Sequence, residues 1–125
     1  MPAIAILVAA CLAWLILFQL LLALGAPLGH MAWGGAHRVL PMPLRLASGM
    51  SAGVLCVALA AVGQAGGWIS WLAPGVMRLA LGGFAVLFAL SLLGNLTSQS
   101  RAERRHGVPL AAVLSAGFAA LAVLA

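Results

Sequence analysis

The side chains from which metal or acid–base chemistry could start are few: three histidines, two cysteines, six arginines and one acid, in 125 residues. Two of the histidines lie in one stretch, GHMAWGGAHRVLPMPLR, residues 29–45. His30 and His37 are seven apart, a spacing that would align them on one helical face. Two imidazoles could hold zinc or copper, and one could ligate a tetrapyrrole. However, Gly34 and Gly35 lie between them, and no Cys, Asp or Glu stands nearby to complete a tetrahedral set. Headgroup contact or loop hydrogen bonding is therefore preferred to a metal site, and no cofactor is expected.

The core of that stretch, WGGAHR, carries a second possibility. Paired glycines permit positive φ, and a concave run of amides beside His37 and Arg38 could hold a phosphate. The GxxxxGK[ST] pattern is absent, so this is no P-loop. The competing reading is a tight turn anchored by Trp33. A third basic region, SRAERRH at 100–106, offers Arg101, Arg104 and Arg105 to an anionic surface or to a partner's acidic loop. With Trp33, His37, Arg38 and Arg45, these are the candidates for headgroup or partner contact. A topology signal is the preferred reading of the arginine run.

These residues are set in a greasy chain. Hydrophobic residues make up 66% and charged residues 6%, against about 25% charged in soluble domains. So little charge could not cover a water-facing surface, and the membrane class follows. A net charge of +5 would suggest nucleic acid in a soluble protein. Here the arginines fall between apolar runs, so membrane lipids with anionic headgroups are the partner and nucleic acid is not.

A spanning helix needs about 20 mainly apolar residues. Four stretches qualify, at residues 4–24, 44–63, 76–95 and 108–125. Gly25 and Pro27 stop the first, Pro43 begins the second, and Gly66 and Gly67 open the next connection. Pro74 precedes the third span, and Gly107 with Pro109 marks the start of the fourth. The expected fold is an all-α membrane protein, a single four-transmembrane-helix bundle. The first run lacks a preceding Lys or Arg and exceeds the length of a signal-peptide core, so a retained span is expected.

Arginine sets the expected orientation. The first and third connections carry Arg38, Arg45, Arg101, Arg104 and Arg105, and the second carries Arg78 alone. That bias puts the first and third connections in the cytoplasm and both termini outside, in the periplasm for an inner-membrane protein. Trp33, Trp68 and Trp71 fall at interfaces, whereas Trp14 is near the middle of the first span.

Within the spans, Gln19, Ser48, Ser51, Ser91 and Asn95 collect toward the cytoplasmic third. Such groups should face other helices; a solute path would use Gln19, Ser51, Ser91 and Asn95. No titratable residue is expected at mid-membrane, so no catalytic residue is assigned. Gly49 and Gly53 form GxxxG, and Ala112, Ala116 and Ala120 repeat at spacing four. Small residues let backbones approach, so helices two and four should bear tight contacts within one chain or between chains. Cys11 and Cys56 fall at equal expected depth, where a disulfide is geometrically open but secondary to a plain packing role.

The pattern G-x-P-x-G-x-x-A-W-G-G-x-H-R-V-L-P, Gly25 to Pro41, resembles the first connection of small bacterial four-helix membrane proteins without an assigned activity. The run from Asn95 to Arg105 also resembles theirs. The resemblance implies a bacterial inner-membrane topology and no activity. Three functions remain open. The first is a non-enzymatic accessory subunit of a membrane complex, or a homo-oligomer. The second is a small transporter or channel for an apolar or weakly polar solute. The third is lipid-headgroup binding at His30, His37 and Arg38.

Overall fold

The computed structural model describes residues 2–125. It is all-helical, with four long helices: α1 (Pro2–Ala23), α2 (Met42–Ala65), α3 (Pro74–Leu96) and α4 (Arg101–Leu124). Each is long and apolar enough to cross a membrane. The chain thus runs up and down four times, and lipid-facing backbone is satisfied within each helix.

The helix ends follow from local chemistry. Gly25 and Gly67 adopt φ of 91° and 81°, just past α1 and α2. In each case the following residue's N–H bonds five residues back: Ala26 to Leu21 O at 2.9 Å, and Trp68 to Gly63 O at 2.8 Å. This is the left-handed glycine stop that satisfies orphan carbonyls. Pro43 and Pro74 stand in the first turns of α2 and α3, where a missing N–H costs nothing.

The fourth helix begins earlier than the sequence reading placed it. Gly107 and Pro109 do not start α4; the helix starts at Arg101. Ser100 is the N-cap, and its Oγ accepts from the Glu103 N–H at 3.1 Å. One helix cap thus outweighs a glycine and a proline. Pro109 sits inside the helix, where it has no N–H to give to the Arg105 carbonyl. Six residues of the SRAERRH run, Arg101 to His106, thereby lie in the first two turns of α4 rather than in a loop.

The molecule is two hairpins, α1–α2 and α3–α4, joined mainly where α1 packs on α4. The α2 and α3 helices meet only loosely. A packed core fills the half nearest the termini, built from Val8, Leu12, Ala58, Val62, Leu81, Leu114 and Phe118. A smaller cluster at the other end joins Phe18 and Leu22 of α1 to Ala32 and Leu40 of the first connection. Between the two lies a gap.

Candidate functional site

The gap is a cavity of about 750 Å³ in the half of the bundle that carries the first and third connections. Every helix supplies one stripe of its wall at helical spacing: Phe18 and Gln19 from α1, Ser51 and Leu55 from α2, Phe88, Ser91 and Asn95 from α3, and Glu103, His106 and Gly107 from α4. The four intramembrane polar candidates, Gln19, Ser51, Ser91 and Asn95, all line this one space. Trp33 lines it too, from the first connection. The loose α2–α3 seam bounds the cavity, where Met50 and Val54 face Leu87.

The polar walls are partly committed. Ser51 Oγ donates to Ala47 O at 2.9 Å, and Asn95 Nδ2 donates to Ser91 O at 2.9 Å. These bonds close within a single helix turn and leave each group's remaining capacity free. Gln19 differs. Its Oε1 is buried and has no hydrogen-bond partner among the described residues. A buried carbonyl oxygen without a donor costs about 1 to 3 kcal/mol, so its position calls for a donor from elsewhere.

The first connection forms the cavity's cap. It is pinched at its base by a Gly29 N–H to Arg38 O bond of 2.8 Å, giving a compact loop of the kind that often carries function. At its tip Trp33, Gly34 and Gly35 all adopt positive φ, 51°, 84° and 76°. For tryptophan this is a strained conformation costing on the order of 1 to 3 kcal/mol, and such strain persists only where neighbours hold it. Three hydrogen bonds hold this tip. Trp33 Nε1 donates to Ser48 Oγ at 2.9 Å, and Ser48 is fully buried. Ser100 Oγ donates to His30 O at 2.6 Å. Gly34 N–H donates to Glu103 Oε2 at 3.2 Å.

That last bond bears on the phosphate reading of WGGAHR. The Gly34 amide is engaged by the chain's own carboxylate. The other residues proposed for headgroup contact are dispersed: His30, His37 and Arg38 are exposed on the loop, and Arg101 and Arg105 are exposed on α4. Arg45 turns inward and donates from Nε to Ala23 O at 2.9 Å, capping the end of α1. Arg104 bonds the Ser98 carbonyl. No group of three metal-ligating side chains occurs among the described residues.

Sequence reading missed Glu103 and His106 as cavity residues. The signal was present: S-x-x-E at 100–103 is a capping-box pattern. It would have started α4 at Arg101 and turned residues 103, 106, 107 and 110 to one face. Glu103 does not complete the box, since its carboxylate serves Gly34 instead. His106 Nε2 accepts from Trp14 Nε1 at 2.8 Å, and its ring lies 4.5 Å from that of Phe18, centroid to centroid. His106 thus lies inside α4, in its second turn rather than at mid-helix, and it accounts for Trp14, whose indole N–H finds a partner there.

The small-residue faces are placed differently from one another. Gly53 has nothing within 4 Å of a notional Cβ, and Gly49 meets only Ala23 Cβ at 3.9 Å. Ala112 is half-buried and Ala116 is exposed. The close approaches inside the chain use other glycines. At Gly117 a Cβ would stand 2.4 Å from Val8 Cγ2, and at Gly107 it would stand 2.2 Å from Asn95 Oδ1. Cys11 and Cys56 are free. Comparison with family models, curated proteins and solved structures gives no match.

Proposed function

We propose that this chain is a multi-pass membrane protein that binds a small, largely apolar solute with a weakly polar head, as a small transporter does. The observation that carries the reading is the shared cavity, which gathers Gln19, Ser51, Ser91 and Asn95 from three helices. Its volume lies within the roughly 300 to 1,000 Å³ of small-molecule sites, and its wall is mostly apolar with a few convergent polar groups. The α2–α3 seam offers entry from the bilayer. The opposite end is closed, so the arrangement corresponds to one facing state of an alternating-access cycle. The arginine-bearing end is the cytoplasmic one, of the inner membrane in a bacterium, by the positive-inside bias. Labelling of Arg38→Cys and Arg104→Cys from the cytoplasm, with Arg78→Cys labelled from outside, checks that sidedness.

Binding is tested with 1-adamantanol, a compact apolar body with one hydroxyl, on the purified chain in phosphatidylcholine nanodiscs. Saturable binding near one per chain is expected, lost in the cavity-filling variant Ala111→Trp. Binding that rises only linearly, as in protein-free discs, would sink the proposal.

A second reading, self-association or service as an accessory subunit, rests on the uncovered Gly49–Gly53 face of α2. Small residues left bare within the chain remain able to admit another helix. Cross-linking in native membranes would then yield a defined dimer or partner band that Gly53→Leu abolishes; a monomer in both forms counts against it.

A further inference from the structure

The chain's only acid faces the cavity, and its arginines do not. Along α4 the wall positions are Glu103, His106, Gly107 and Leu110, the i, i+3, i+4, i+7 stripe of one face. Arg101 and Arg105 stand on the exposed side of the same helix. The Arg104 guanidinium is turned back to the Ser98 carbonyl, and Arg45 to the Ala23 carbonyl. The local charge of the cavity is therefore opposite in sign to the +5 of the whole chain. Glu103 spends one oxygen on the Gly34 N–H at 3.2 Å, a long bond to a neutral donor, and no ion pair among the described residues engages it. A half-buried carboxylate of this kind is a strong acceptor for a charged donor.

A second, independent feature points the same way. Gln19 lines the same cavity from α1, and its Oε1 is buried without a donor. His106 Nε2 accepts from Trp14, which leaves the ring proton on Nδ1, and that N–H makes no bond to Gln19 Oε1. A carbonyl without a donor and a carboxylate without an ion-pair partner thus line one cavity, and each calls for a donor. Apart from Ser51, Ser91, Asn95 and His106, the rest of the wall is apolar and aromatic, with Phe18, Phe88 and Trp33, and ring faces attract cations.

We infer that the solute is a hydrophobic monocation, an amine whose ammonium group lies at Glu103 and Gln19 and whose apolar body fills the space between Phe18, Leu55 and Phe88. The inference rests on the proposed solute-binding function and makes the solute's polar head a charged one. The ammonium could belong to a free hydrophobic amine or to an aminophospholipid headgroup entering along the α2–α3 seam. The shared chemistry is a positive, donor-rich head on an apolar body.

The test uses three probes that differ only in the head: 1-adamantylammonium, 1-adamantanol and 1-adamantanecarboxylate. Equilibrium dialysis against the chain in phosphatidylcholine nanodiscs at neutral pH reads their affinities. The amine should bind at least tenfold more tightly than the alcohol, and the carboxylate more weakly than both. Glu103→Gln keeps the shape and one carbonyl for Gly34, so it should bring the amine down to the alcohol's affinity, a larger loss than any the alcohol shows. Replacing half of the lipid by phosphatidylethanolamine should displace the amine if the lipid is the source, and leave it bound if a free amine is. Equal affinity for amine and alcohol, or an amine affinity untouched by Glu103→Gln, overturns the cation inference while the cavity reading stands. Binding of none of the three overturns both.

Discussion

Two glutamines near opposite ends of the bundle are treated in opposite ways. Gln64, in the last turn of α2, is saturated. Its Oε1 accepts from the Leu72 N–H at 2.6 Å, and its Nε2 donates to the Leu72 carbonyl. One side chain thus ties the helix to the connection that follows it. Gln19, near the other end of α1, leaves its buried carbonyl oxygen without a donor. The surroundings match. Around Gln64 the helices converge on a packed core of Ala58, Val62 and Leu81. Around Gln19 they part into a cavity capped by a strained turn. Interiors are close-packed by default, and buried polar groups are paired by default. One end of this molecule obeys both rules and the other breaks both, together with the backbone rule at Trp33. Joint violations of this sort concentrate at functional sites.

If that contrast is real, the closed end should be the one that stability depends on. The largest effect is expected at Gly117→Val, which forces side-chain atoms into Val8 where a Cβ alone would stand 2.4 Å away. Overpacking of this kind costs about 1 to 3 kcal/mol, read as a lowered midpoint of SDS-induced unfolding in mixed micelles. Gly53→Val is the control, because nothing lies within 4 Å of that position. Equal destabilisation by the two variants would erase the distinction between a packed seam and a bare one.

A smaller loss is expected at Gln64→Leu, which deletes both bonds to Leu72 and strands a backbone N–H and carbonyl. About 1 to 2 kcal/mol follows from the usual range for such bonds in membrane proteins and the cost of the orphaned groups. A variant as stable as the parent would mean that water at the interface replaces Gln64 without loss.

The closed end and the four spans were legible in the sequence because they depend on composition and on glycine and proline positions. Apolar length alone located α1, α2 and α3 to within two residues at each end. The open end was legible in part. The depth of Gln19, Ser51, Ser91 and Asn95 could be counted along the spans, and the structure places all four around one cavity. Their meeting with Glu103, His106 and Trp33 could not be counted. Glu103 and His106 depend on where α4 starts, and the proline at 109 obscured the serine cap at 100. Trp33 and Trp14 depend on partners 15 and 92 residues away, Ser48 and His106, which no local pattern announces. The close approach at Gly107 was hidden for the same reason. A single glycine becomes a contact only once the facing helix is known, whereas GxxxG advertises a face whether or not a neighbour covers it.

The smallest effect on stability, and the most diagnostic, is expected at Gln19→Leu. Leucine is close to glutamine in volume and carries no polar atom, so it removes the unpaired carbonyl without opening a void. Replacing an unsatisfied buried polar group by an apolar one of similar shape is neutral or stabilising. The variant should therefore unfold at the same SDS fraction as the parent or a higher one, by up to about 1 kcal/mol. The outcome has the opposite sign to Gln64→Leu although the chemical change is identical. Stability retained and solute binding lost would show that the chain keeps an unfavourable oxygen at the open end for the sake of what enters the cavity. A destabilisation matching that of Gln64→Leu would instead show that Gln19 finds a protein donor in the membrane. The two ends would then differ in shape alone.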